Sequence, residues 1–92
     1  MQAVLAFNRS AIEKRIQDVA NYLGISDGFD GFYTFVGDLN NSLGVPKNLT
    51  ELGVTNPDLD MLSEAALKDP SCGGNPVEMT SENTRALFEA CL

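Results

Sequence analysis

DGFDGFYTFVGDLNNSLGVPKNLTELGV, Asp27 to Val54, decides the fold. Phe29, Phe32, Val36, Leu39 and Leu43 recur at alternating steps of three and four, which puts all five on one face of a helix. Tyr33 and Phe35 widen that apolar arc, so the helix touches neighbours on more than one side. Asp27 is placed to cap its start, and Gly44 fits the left-handed position that closes a helix. Pro46 forbids continuation. Asn48 then caps a single turn, Leu49 to Leu52, closed by Gly53. The other segments are expected to pack onto the helix that begins near Asp27. The run GFDGF (Gly28 to Phe32) is not a phosphate loop, because it lacks the G-x-G-x-x-G spacing and no strand precedes it. Gly28 and Gly31 read instead as weak points in the first turn of the helix, at about 1 kcal/mol each.

The same reasoning extends in both directions. Ser10 and Glu13 have the Ser-x-x-Glu spacing of a capping box, and Ile12, Ile16, Val19, Ala20 and Leu23 follow at helical spacing, which predicts a helix over 11–23 ended by Gly24. Met1 to Phe7 is apolar and uncapped. It reads as the tail of an element, as an arm that docks on a partner, or as a frayed end. Downstream, Asn56 and Pro57 are placed to start a further helix, with Asp58 and Asp60 in its first turn and Leu59, Leu62, Ala65 and Ala66 on its buried face. A calcium loop through Asn56, Asp58, Asp60 and Glu64 fails for want of the glycine that such a loop requires. Asp69 to Met79, with two prolines and a Gly-Gly pair, reads as a loop. Thr80 caps a last helix whose stripe is Thr84, Leu87, Phe88 and Cys91. No strand signal appears. The expected fold is all-α, one domain over 1–92 with four main helices and one short helical turn.

Composition narrows the function. Ninety-two residues with 43% hydrophobic content suit one small globular domain. The net charge of −7, with scattered basic residues, disfavours nucleic acid and anionic membrane surfaces as partners. No apolar run approaches the roughly 18 residues of a membrane span. Met1 to Asn8 does not read as a secretory leader. Cys72 and Cys91 are too few for a disulfide framework, so reduced thiols in the cytoplasm are expected. Asn48-Leu49-Thr50 matches a glycosylation acceptor, but a helix cap is the better reading. The chain has no histidine. That removes the commonest general base and metal ligand, and with it any Ser-His-Asp arrangement. The two thiols alone cannot make a zinc site. Self-sufficient catalysis is not expected, and no catalytic, cofactor-binding or metal-binding residue is assigned.

Three stretches, in order, resemble the C-terminal end of the iron-containing (group III) alcohol dehydrogenases: VLAFN (Val4 to Asn8) ahead of a helix ending in YLGI, LNNSLGVPKNLTELGVTNPDLDMLSEAALKD (Leu39 to Asp69), and PSCGGNPVEMTSENTRALFEACL (Pro70 to Leu92). The resemblance covers essentially the whole chain but only about the last quarter of the family's usual length. It implies full-length relatives with a nicotinamide-binding α/β domain and a helical domain that holds iron, or sometimes zinc, through an aspartate and histidines. There the metal polarises the alcohol or aldehyde oxygen during hydride transfer. It also implies that the last metal histidine lies ahead of the VLAFN segment, so that this chain carries neither metal ligands nor cofactor glycines. Cys72 matches a cysteine common in the family's loop, which lies towards the substrate side of the cleft; otherwise it is a buried or half-buried thiol. The chain departs from the family at Val77, where an arginine is usual, and at Gly28, Gly31 and Gly37. Two functions remain. One is a structural piece of such a dehydrogenase, partnered by the missing N-terminal part or by itself. The other is a free-standing helical interaction module without catalysis.

Overall fold

A computed structural model describes residues 1–92. It is all-α: helices α1 (Gln2–Leu23), α2 (Gly28–Ser42), α3 (Leu59–Lys68) and α4 (Ser81–Ala90), with a 3₁₀ turn at Pro70–Gly74 and no strand. The chain divides into two compact units, Met1–Lys47 and Asn48–Leu92. The gathering of all segments on α2 gives way to two helix pairs, α1 with α2 and α3 with α4.

In the first unit, α1 begins nine residues earlier than the Ser10 capping box implies. No residue between Met1 and Ser10 breaks a helix, and the first turns have a face to bury. Leu5 and the neighbouring turn's Asn8 are buried, and Ile12 and Ile16 continue the same stripe against α2. Packing therefore overrides a local start signal, as it usually does. Leu5, Phe29 and Val36 form the core, with Ile12, Ile16, Phe32 and Tyr33 packed on it. The Phe29 and Tyr33 rings stack at 6.4 Å between centroids.

Asp27 precedes α2 but does not cap it. Its φ is +69°, and its side chain makes no cap bond. Aspartate tolerates this left-handed conformation through its short polar side chain. Gly31 is not a weak point. A Cβ built there would lie 1.7 Å from the Ser26 carbonyl oxygen, so only glycine lets the 25–26 turn lie against the helix. Gly44 closes α2 as the sequence indicates. At φ +68° it donates to the Asn41 carbonyl, and Val45 donates to that of Asn40.

In the second unit, Asn48 Oδ1 accepts from the Glu51 N–H and starts the short turn closed by Gly53. This turn receives the chain end: Leu49 N–H donates to the Cys91 carbonyl and Thr50 Oγ1 to that of Leu92, both at 2.8 Å. Those bonds satisfy carbonyls that the end of α4 would otherwise leave open. The cap of α3 is Asp58, which accepts from Met61 N–H at 3.0 Å, rather than Asn56. Asn56 instead has φ +51° in the preceding turn. Thr80 and Asn83 form a reciprocal capping box on α4.

The two buried residues of this unit are small and polar: Ser63 (2% exposed) on α3 and Thr84 (4%) on α4. Ala65, expected on the buried face of α3, is exposed, whereas Leu59, Leu62 and Ala66 are half-buried. Small side chains let helices approach closely at the cost of apolar area. Ser63 Oγ donates to the Leu59 carbonyl at 2.6 Å, and Thr84 Oγ1 has no partner.

Candidate functional site

The one side chain that the sequence marks for chemistry is Cys72. The segment that carries it, expected as a loop, is in its first half an ordered 3₁₀ turn. Asp69 caps the turn, its carboxylate accepting the Ser71 N–H at 2.7 Å, and Pro70 occupies the first position, where no donor is needed. The Ser71 N–H and then the Ser71 hydroxyl hold the Asp69 carboxyl below the usual carboxylate range. Cys72 N–H donates to the Asp69 carbonyl, and Asn75 N–H closes the turn on the carbonyl of Cys72. The following residues fold back over the turn through the Asn75 amide, which donates to the Val77 carbonyl at 2.8 Å and to Met79 Sδ at 3.3 Å.

These bonds shape a shallow pocket of about 190 Å³ lined by Leu67, Cys72, Asn75, Val77, Glu78 and Met79. The thiol is half-buried and free. The volume is below the roughly 300–1,000 Å³ of sites that enclose a small organic ligand. The lining offers one thiol, one amide already engaged and one carboxylate, with no imidazole to activate either. Cys91, the other free thiol, lies at the C-terminal end of α4 with its backbone tied to Leu49. Spacing alone does not single out Asn75 or Met79 as neighbours of Cys72. The signal available for Asn75 is its position before Pro76, since asparagine favours turns in which its side chain bonds the backbone two residues on.

Charges serve structure. Arg9 on α1 reaches Glu13 on its own helix and Asp30 on α2. Arg85 on α4 reaches Asp60 on α3 at 2.8 Å and Glu89 on its own helix. Their carboxylate partners raise both guanidinium pKa values.

The model of the Fe-containing alcohol dehydrogenase family, C-terminal part, matches residues 1–92, and the chain belongs to that family. Lactaldehyde reductase of Escherichia coli is 29% identical to it, over 92% of this chain and 24% of the reductase. Alcohol dehydrogenase 4 of Saccharomyces cerevisiae is 32% identical, over 84% of this chain and 20% of that enzyme. An NADPH-dependent butanol dehydrogenase of Clostridium saccharobutylicum is 24% identical, over 94% and 24%. The chain thus spans about a quarter of the length of the curated relatives it matches. No solved structure gives a significant match.

The residues of this chain do not fit the iron that the family's name implies. Histidine is absent, and no three Cys, Asp or Glu side chains gather as a metal site would require. They do not fit a nicotinamide cofactor either. With no strand, there is no strand–glycine loop–helix unit to seat its pyrophosphate. No helix is long and apolar enough to cross a membrane.

Proposed function

We propose that this chain acts as the C-terminal helical part of an iron-containing, NAD(P)-dependent alcohol dehydrogenase, where it buttresses the metal-bearing cleft and takes no part in the chemistry by itself. The observation that carries this reading is the family match over all 92 residues, joined to coverage of only about a quarter of the relatives. The catalytic elements, in this view, reside in the remaining three-quarters. The whole chain forms a single helical domain there, and the assembled enzyme is cytoplasmic, with both thiols reduced. Cys72 borders the substrate side of its cleft. The ordered turn supports that role by holding the thiol half-exposed in a shallow pocket, as a wall residue would be. Exposed Phe35, Leu39, Leu43 and Leu52 speak for a partner, either the rest of the dehydrogenase or a second copy, and against a free-standing module with a covered surface.

The test is an assay of the 92-residue chain with ferrous iron, NAD⁺ or NADP⁺ and short alcohols, next to a fusion in which the chain replaces the matching portion of Escherichia coli lactaldehyde reductase. The chain alone should show no turnover, and the fusion should fold and retain activity. Turnover by the isolated chain, or a fusion that never folds, would overturn the reading.

A further inference from the structure

The fold-back over the Cys72 turn depends in part on a sulfur atom. Asn75 Nδ2 donates to the Val77 carbonyl at 2.8 Å and to Met79 Sδ at 3.3 Å. An amide NH₂ carries two hydrogens, so these two bonds use both. Together they draw the chain after Pro76 back beside the turn, where Cys72, Val77 and Met79 line one shallow pocket of about 190 Å³ with Leu67. Met79 is half-buried in that wall, and the pocket has room for a molecule the size of a peroxide. The other two methionines stand further out in solvent, Met1 at 72% exposed and Met61 at 59%.

We infer that Met79 is an oxidation site whose conversion to the sulfoxide opens the fold-back and frees the approach to Cys72. This stands apart from the function proposed above. The step is a two-electron oxygen transfer from a hydroperoxide. With hydrogen peroxide, the thioether sulfur attacks one oxygen, an S–O bond forms and the O–O bond breaks. The departing oxygen takes the proton of the transferred one and leaves as water, so sulfur is oxidised and the peroxide reduced. The new oxygen stands a full bond beyond the sulfur and is a stronger acceptor than a thioether. An Asn75 amide that follows it leaves the Val77 carbonyl, and one that stays loses its bond to sulfur. In both cases the pair of bonds is broken, and a polar group stands where a flexible apolar side chain packed beside Leu67 and Val77.

The test treats the chain with graded hydrogen peroxide and then with a thiol reductant, which returns a sulfenic acid or disulfide to the thiol and leaves sulfoxides in place. Peptide mass mapping reads the oxidation of each methionine and the rate at which a maleimide labels Cys72. Met79 should oxidise after Met1 and Met61, and Cys72 labelling should then quicken by roughly threefold or more, the scale of one lost hydrogen bond in a local opening. Methionine sulfoxide reductases should restore the slow rate. Met79→Leu keeps apolar bulk without the sulfur, so its labelling rate should not depend on peroxide, whereas Met61→Leu should respond as wild type does. A Met79 still unoxidised when Met1 and Met61 are consumed would overturn the inference. So would a Cys72 rate unchanged by the Met79 sulfoxide, or an equal peroxide response in Met79→Leu.

Discussion

The Arg9 guanidinium donates to the Asp30 carboxylate at 2.8 Å while its central carbon lies 4.6 Å from the centroid of the Phe29 ring. One side chain on α1 thus grips two consecutive residues on α2, one by charge and one by its aromatic face. A guanidinium does both because it is planar and delocalised, whereas an ammonium is a compact, strongly hydrated point. Arg9→Lys should therefore lower Tm, and Arg9→Ala should lower it further. Raising salt should narrow the gap between Lys and Ala, because the exposed charge pair is screened and the ring contact is not. Thermal melts followed by circular dichroism at low and high ionic strength check this. Equal Tm values for all three chains would show that the grip contributes nothing.

Two glycines of α2 should respond in opposite ways to alanine. At Gly31 the new methyl group would meet the Ser26 carbonyl, which is backbone and has nowhere to go. The forced shift should cost about 1–3 kcal/mol. At Gly37 it would meet the far end of the Gln2 side chain, which can swing aside. Losing the Gln2 bond to Tyr33 then opposes a gain in helix propensity of about 1 kcal/mol, for a net change near zero. Urea titrations of the two variants give both values.

Much of this fold is legible in the sequence because the signals are chemical and local. Gly24, Gly44 and Gly53 stop elements by their left-handed backbone, and Thr80 starts α4 with its own side chain. The misses share a different cause. Ser10 has the residues of a cap, but α1 runs through it because Leu5 has a partner 24 residues away in Phe29. Asp27 has the right side chain and the wrong backbone. Asn56 and Asp58 are both competent caps, and the helix chose the second. Such outcomes depend on packing between helices, which a one-dimensional pattern does not record. The site follows the same division. Cys72 enters the candidate site by resemblance alone, whereas the Asn75 amide that folds the chain back beside it depends on a turn geometry that spacing leaves open.

Thr84 offers a gain in stability. Its hydroxyl oxygen is buried with no partner, so it carries a desolvation cost without the bond that would offset it. Thr84→Val keeps the branched shape and removes the polar atom. The variant should be more stable by about 1 kcal/mol. For a chain of this size that is a rise in Tm of roughly 4–8 °C. Ser63→Leu is the opposite case. It forces a large side chain into the close approach of α3 and α4, and should cost about 1–3 kcal/mol. A lower Tm for Thr84→Val would mean that the hydroxyl is satisfied in solution.

Acid should loosen the Cys72 turn before it unfolds the helices. The Asp69 carboxyl is held below its ordinary pKa by the Ser71 N–H and hydroxyl, so the folded state prefers the ionised form more than the unfolded state does. A group depressed in this way adds stability at every pH above its unfolded value, and that share is lost as pH falls through the lower, folded value. The loss therefore starts near pH 4, the ordinary aspartate range, and deepens below it. Asp69→Asn keeps an oxygen to accept the Ser71 N–H but cannot titrate, so its stability should be lower than wild type at neutral pH and flatter below pH 4. Amide exchange at Ser71 and Cys72, read by NMR between about pH 6 and pH 3, locates the effect. After correction for the intrinsic pH dependence of exchange, protection there should fall with acid in wild type and hold steady in the asparagine variant. A wild-type turn as protected at pH 3 as at pH 6 would show that the carboxylate is not what holds it.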